Sequence, residues 1–380
     1  MKKIFLFLIT VFVAYLTAYQ TTGKKHGYPS PFDFSWIDSL NLSADTPKPA
    51  PEDFPAYALI NDDMYMGYEQ FLKENYNDAI DHFYDAVYDP ATEAKAHLMI
   101  GRSYMKLNQT EDAKYYLNVA AEKDPKDPEI YFYRGKLYYN LGTYKKAVSD
   151  LYLASELGFE NPEALYLLSL SYENEQNTEA SLQAALEALQ KDSTYYDAMF
   201  QAGRMYYSTE KYAEAVEIYT RAIEQKPSDK YSLLNRALAY DKLGIKDSAL
   251  RGYEQVTEID PQYALVYNNR GWFYHQSDDF DSALQDYNKA IEINPDYELP
   301  LWNRASLYLE NNNPEQALSD YLKLYELNQN NYMALYNAGL CYEQTNAKEN
   351  AIEYFEAFIN SGSKNYELLD KARAKINKYR

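Results

Sequence analysis

A small residue returns every 34 residues along most of this chain, at Gly67, Gly101, Gly135, Ser169, Gly203, Ala237, Gly271, Ala305 and Gly339. Three residues after all but the first of these stands a tyrosine: Tyr104, Tyr138, Tyr172, Tyr206, Tyr240, Tyr274, Tyr308 and Tyr342, with Gln70 in the first copy. A third ladder runs nine residues further on, through Ala79, Ala113, Ala147, Ser181, Ala215, Ala249, Ala283, Ala317 and Ala351. Three ladders in one register define a repeated supersecondary unit, and a unit this short cannot bury its own apolar face. It must stack on its neighbours. With Ile60 as position 1, small residues at positions 8 and 20 let two antiparallel helices approach closely, and the ring at position 11 fills the space beside them. Each unit is therefore expected to be a helical hairpin.

Position 24 is bulky in most copies (Phe83, Leu117, Leu151, Tyr219, Tyr253, Tyr287, Tyr321, Phe355) and is expected to reach the neighbouring hairpin; in repeat 4 it is Ala185. Proline at position 32 (Pro125, Pro227, Pro261, Pro295) is expected to end the second helix and turn the chain. Small, Tyr, Ala, aromatic and Pro at these spacings resemble the tetratricopeptide repeat (TPR), whose period is also 34 residues. That resemblance implies an all-α fold, a right-handed α-solenoid superhelix of about nine hairpins over residues 60–365. Residues 366–380 follow as a capping helix, with Tyr366, Leu369, Ile376 and Tyr379 on one face and Lys371, Arg373, Lys375, Lys378 and Arg380 also on it. Repeat 4, with Ser169, Ser181 and Ala185 at signature places, is expected to have the lowest local stability. Arginine at position 7 (Arg134, Arg236, Arg270, Arg304) coincides with aspartate at position 23 in three cases, Asp150, Asp286 and Asp320, which predicts ion pairs inside repeats 3, 7 and 8 of about 1 kcal/mol each or less.

Ahead of the repeats, Lys2 and Lys3 precede an apolar run from Ile4 to Ala18, the pattern of a secretory signal peptide. Residues 1–23 are read as that signal or as an N-terminal membrane anchor, the only membrane contact expected being through residues 4–23 if uncleaved. Residues 24–59 hold six of the fifteen prolines and read as an extended tether, in which Phe32, Phe34, Trp36, Ile37 and Leu40 are unusually apolar. The expectation is an exported protein of the periplasm or cell envelope. A net charge of −20 lacks the electrostatic footprint for nucleic acid. One cysteine, Cys341, excludes an intrachain disulfide framework. Repeats and cap leave no room for a catalytic domain, and no phosphate-loop, zinc-protease or nucleophile-elbow motif occurs, so no enzyme, cofactor or metal is expected.

The family resemblance implies that first helices line a concave groove through positions 2, 5, 6, 9, 12 and 13. Position 6 is Asn235, Asn269, Asn303 and Asn337 in repeats 6 to 9. This resembles the asparagine ladder of the O-linked N-acetylglucosamine transferase repeats, whose carboxamides hold peptide backbone, and it reads equally as packing and hydration common in the family. Asn268, Trp272, His275, Trp302 and Tyr336 fall on groove positions beside it, as candidate anchors for a protein or peptide. In the amino-terminal half Lys95, Arg102, Lys106, Lys136 and Arg204 form a candidate site for an acidic ligand, or a solvated charged face. The leading expectation is a non-catalytic scaffold that binds a protein or extended peptide in its groove. The alternatives are a structural spacer in an envelope assembly and a regulatory arm of a partner enzyme. Oligomeric state is not legible.

Overall fold

A computed structural model describes residues 60–379, together with Pro55 and Ala58. The readings of residues 1–54, 56, 57, 59 and 380 lie outside the described residues. Nineteen helices follow one another with no strand among the described residues. The first hairpins are α1 (Asp62–Leu72) with α2 (Tyr76–Ala86), α3 (Glu93–Lys106) with α4 (Thr110–Lys123), and α5 (Pro128–Asn140) with α6 (Tyr144–Glu156). The middle hairpins are α7 (Pro162–Asn174) with α8 (Thr178–Lys191), α9 (Tyr196–Ser208) with α10 (Tyr212–Gln225), and α11 (Lys230–Lys242) with α12 (Lys246–Ile259). The last are α13 (Ala264–Gln276) with α14 (Phe280–Ile293), α15 (Glu298–Glu310) with α16 (Pro314–Leu327), and α17 (Tyr332–Gln344) with α18 (Lys348–Asn360), after which comes α19 (Tyr366–Tyr379). Each helix packs on the helices before and after it in sequence, and first helices of successive hairpins also touch along most of the array. The fold is the α-solenoid that the repeat implies.

The spacing of the ladders is set by how closely the two helices of a hairpin approach. A Cβ on Gly203 would come within 2.6 Å of the Tyr219 ring, and one on Gly271 within 2.8 Å of the Tyr287 ring. Position 24 therefore lies under its own first helix, a contact that the expected reach toward the neighbouring hairpin left out. Repeat 6 solves the same problem in reverse: position 8 is Ala237, and the facing residue, Gly252, is the one without a side chain, its absent Cβ 2.7 Å from that of Ala237. In repeat 4 the Ser169 hydroxyl donates to the Ser181 carbonyl at 2.7 Å, and the two hydroxyls lie 3.0 Å apart. Every residue of α7 from Ala164 to Ser171 is buried. A polar link and a helix buried over eight consecutive residues thus stand where the signature residues are missing.

Each first helix ends in the same way, and the sequence gives little sign of it. Position 15 takes the left-handed conformation in all nine repeats, with φ between 56° and 73°, although only Gly142 and Gly244 are glycine there. The next backbone N–H then reaches back to the carbonyl of position 11, as from Lys211 to Tyr206 at 2.8 Å and from Asp279 to Tyr274 at 3.0 Å. This six-to-one bond closes a Schellman turn and satisfies a carbonyl at the helix end. A side chain at that φ costs about 1 kcal/mol relative to glycine. Glu210→Gly is accordingly expected to stabilise repeats 5 and 6 by about 0.5–1 kcal/mol, seen as a higher urea midpoint; an unchanged or lower midpoint would contradict it. Second helices stop where the prolines predict: α4, α10, α12 and α14 end at Lys123, Gln225, Ile259 and Ile293, each two residues before one.

The three expected ion pairs form, and they are bidentate. Arg134 meets Asp150 at 2.7 and 2.9 Å, Arg270 meets Asp286 at 2.8 Å twice, and Arg304 meets Asp320 at 2.9 and 2.5 Å. Arg134 and Arg304 also donate backward, to Asn118 at 3.1 Å and Asn288 at 2.6 Å on the preceding second helix. Arg236, with Gly252 in the aspartate's place, keeps a partner on the preceding helix, Thr220 Oγ1 at 3.3 Å. The aspartates are buried, so these clamps are more fully shielded than the pairs of about 1 kcal/mol or less expected from sequence. At the other end, α19 buries Leu368, Leu369, Ala372 and Ile376. Tyr366, expected on that face, is 76% exposed, because Leu368 and Leu369 supply the first turn of the seam instead.

Candidate functional site

The position 6 asparagines stand on the first helices α11, α13, α15 and α17, the helices to which the family resemblance assigns the groove. Asn235 donates to its own helix, at the Tyr231 carbonyl, 2.8 Å away. Asn303 donates to the Asn268 carboxamide across the α13–α15 interface at 2.9 Å, and Asn268 donates to Asn269 at 3.4 Å. Asn268 is 4% exposed, so it links helices and is not an open binding group. Asn337 is buried as well. Asn235, Asn269 and Asn303 remain partly exposed, and each carboxamide has two donors and an acceptor with two lone pairs, more than these bonds use.

Of the rings, Trp272 and Trp302 are half-buried, the first edge-on to His275 at 5.6 Å and the second edge-on to Tyr321 at 5.3 Å. Tyr336 is only 2% exposed, packed against Phe355 and Phe358 beneath the cap. It belongs to the core, because the capping helix covers the face of the last hairpin. His275 is buried too, with Nε2 2.8 Å from Glu310 and Nδ1 3.5 Å from the Tyr287 hydroxyl. Cys341 is fully buried, and burial pushes its thiol up to about 12, which removes it as a nucleophile at neutral pH.

The candidate acidic-ligand site is largely neutralised from within. Lys95 contacts Asp127 at 2.5 Å and Glu129 at 2.9 Å, and Arg102 reaches the same glutamate at 3.1 Å with its guanidinium 4.1 Å from the Tyr133 ring centroid. Lys136 pairs with Glu163 at 2.5 Å, and Arg204 with Glu173 at 2.6 Å. Lys106 alone of the five is exposed. The physical reason is desolvation: a cation half-removed from water between stacked helices needs a carboxylate, and position 2 of the following repeat supplies one as Glu129 and Glu163.

Family models described as the tetratricopeptide repeat match residues 98–164, 231–263, 264–297 and 303–366, and one described as the TPR repeat matches 203–244. The chain is a tetratricopeptide-repeat protein. Hsp70-Hsp90 organizing protein 3 of Arabidopsis thaliana is 34% identical over 77 residues, 20% of this chain and 14% of the relative. Tetratricopeptide repeat protein 6 of Homo sapiens is 24% identical over 178 residues, 47% of this chain and 33% of the relative. The chain therefore spans a third or less of the length of these two relatives. The solved C-terminal part of a TPR repeat-containing protein from Cytophaga hutchinsonii is similar with a TM-score of 0.51 at 20% identity, covering 62% of this chain and 97% of the solved one. At that identity the likeness speaks to the fold.

Within this TPR array the residues that sequence reasoning passed over are the position 24 tyrosines. Tyr219, Tyr253 and Tyr287 on the second helices are fully buried, and the rings of Tyr219 and Tyr287 lie against Gly203 and Gly271 of their own first helices. Tyr287 reaches the position 12 residue of its own repeat, His275, and the hydroxyls of Tyr219 and Tyr253 have no hydrogen-bond partner among the described residues. The signal was available in the choice of Tyr over Phe at four successive position 24 sites, since Phe83 and Phe355 fill the same place without a hydroxyl.

Proposed function

We propose that this TPR protein is an exported, non-catalytic scaffold that binds a protein or extended peptide on the inner face of repeats 6 to 8. The observation that carries the reading is the pair of half-exposed indoles, Trp272 and Trp302, set among carboxamides with unused hydrogen-bonding capacity. Indoles offer large contact area at low entropic cost, and carboxamides match the N–H and C=O of an extended chain. Support for a scaffold also comes from the relatives, several of which are named as organizing proteins for Hsp70 and Hsp90. Export rests on Lys2, Lys3 and the apolar run from Ile4 to Ala18.

The test is affinity capture from an envelope fraction with the wild type and with Asn235→Ala/Asn269→Ala. Asn235 donates only within its own helix and Asn269 only accepts a long 3.4 Å bond from its neighbour Asn268, whereas removing Asn303 would take the 2.9 Å donor from the buried Asn268 oxygen and confuse binding with stability. At about 0.5–1.5 kcal/mol for each lost hydrogen bond, the double variant is expected to bind the captured partner about tenfold more weakly with an unchanged melting temperature. Unchanged affinity would remove the ladder from the site. Recovery of the chain only from cytosol would remove the export.

A further inference from the structure

While half-buried cations on the first helices are bonded to carboxylates, two half-buried carboxylates on first helices have no ion pair among the described residues. The carboxylate of Asp241, at position 12 on α11, takes no hydrogen bond or ion pair from the described residues; burial holds it above the ordinary carboxylate range, with the charges of Lys242 and Lys246 opposing. Asp197, at position 2 on α9, is likewise raised by burial, and its charge acts on the phenols of Tyr166, Tyr195 and Tyr196. The lysine that opposes it, Lys226, lies over the Tyr196 ring at 3.5 Å rather than on the carboxylate.

An independent feature points to the same spot. Tyr253 is 0% exposed and its hydroxyl has no hydrogen-bond partner among the described residues. Its register equivalent, Tyr287, sends its hydroxyl to the position 12 side chain of its own repeat. In repeat 6 that side chain is Asp241, whose charge acts on the Tyr253 phenol after burial itself, followed by Tyr207. The orphaned hydroxyl and the carboxylate without an ion pair thus stand on the two helices of one hairpin, in the register that brings Tyr287 to His275 one repeat later. Buried charge and buried hydroxyl both require partners. The lysines whose charge acts on these two carboxylates, Lys242, Lys246 and Lys226, form no ion pair with them among the described residues, and the net charge of the chain is −20.

We propose that this place on repeat 6 receives a lysine or arginine side chain from a basic segment of the partner, with Asp241 taking its charge and the Tyr253 hydroxyl accepting one of its N–H donors. Asp197, one repeat earlier, gives a second cationic position. The proposal rests on the groove-binding reading above and supplies the partner's chemistry: basic, where the sequence suggested acidic. An ammonium has three donors, which a carboxylate and a phenol oxygen together satisfy.

The experiment uses the full chain and two fluorescein-labelled dodecapeptides, one alternating Lys and Ala and one alternating Gln and Ala, read by fluorescence anisotropy at about 0.1 M salt, where distant charges are largely screened. Asp241→Asn is expected to weaken the lysine peptide at least tenfold, and Glu254→Gln, an exposed acid on α12, less than twofold. Tyr253→Phe, the residue type that repeats 1 and 9 use there, is expected to weaken it about threefold without lowering the melting temperature. Equal losses in Asp241→Asn and Glu254→Gln would mean diffuse attraction to an acidic chain and would overturn the proposal. Equal binding of both peptides, unaffected by Asp241→Asn, would overturn it while leaving the groove reading intact. Binding of neither peptide would also overturn it, and the capture experiment decides the groove reading separately.

Discussion

Asp286→Ala is expected to cost about 3 kcal/mol, several times what an exposed ion pair contributes. The loss is large because the substitution leaves the Arg270 side chain, 17% exposed, without the carboxylate that takes two of its N–H donors at 2.8 Å. Asp320→Ala should behave alike at Arg304, which would retain only Asn288. Because each repeat contacts chiefly its neighbours, the effect should be local. Hydrogen exchange is expected to lose protection in α13 and α14 and in the flanking α12 and α15, with α1 to α6 unchanged. The paired replacement Arg270→Met/Asp286→Leu removes the stranded charge and should recover most of the loss. A cost near 0.5 kcal/mol for Asp286→Ala would return the clamp to the class of surface pairs. Gly252 sets the boundary of the rule: repeat 6 cannot carry the aspartate, because even a Cβ there would meet that of Ala237 at 2.7 Å.

What the sequence revealed and what it hid divide along the chain's own periodicity. Positions 8, 11, 20 and 24 repeat in residue type, so the hairpins, their number and the Arg–Asp clamps could be placed from spacing alone. Position 15 repeats in conformation but not in type, being Glu, Asn, Gly, Gln, Glu, Gly, Asp, Asn and Asn, and the left-handed turn was missed. The cationic groove misled for a related reason. Lys95 with Glu129 and Arg102 with Glu129 are 34 and 27 residues apart, separations that mean contact only once successive first helices are known to touch. Tyr336 occupies a groove position by number, yet the cap turns the last inner face into core, so an end effect overrode the register. Asp241 was invisible among 57 acidic residues, since what distinguishes it is a carboxylate without a hydrogen bond or ion pair among the described residues.

Deleting residues 366–380 is expected to have the second large effect, and its reach along the array tests how independent the repeats are. Leu368, Leu369, Ala372 and Ile376 pack against Leu335, Tyr336, Phe355 and Phe358, so the deletion removes four buried side chains and uncovers four more. At about 1.5–3 kcal/mol for each large apolar side chain returned to water, the last hairpin loses more than a pair of short helices can hold. The same deletion takes Lys375 and Tyr379 from Glu343. Burial pushes that carboxyl up, but those two partners outweigh it and hold the group below the usual glutamate range. Its contribution is therefore complete above that range and is lost as pH falls through the lower folded value. Without the cap, α17 and α18 should exchange their amides freely, α15 and α16 should lose partial protection, and α1 to α8 should be unaffected, since a solenoid unfolds from its exposed end. Ile376→Asp should reproduce the pattern more mildly. Uniform loss along all nine repeats would mean that the array melts as one cooperative block, and full protection of α17 and α18 would mean that the last hairpin is stable with its aromatic face in water.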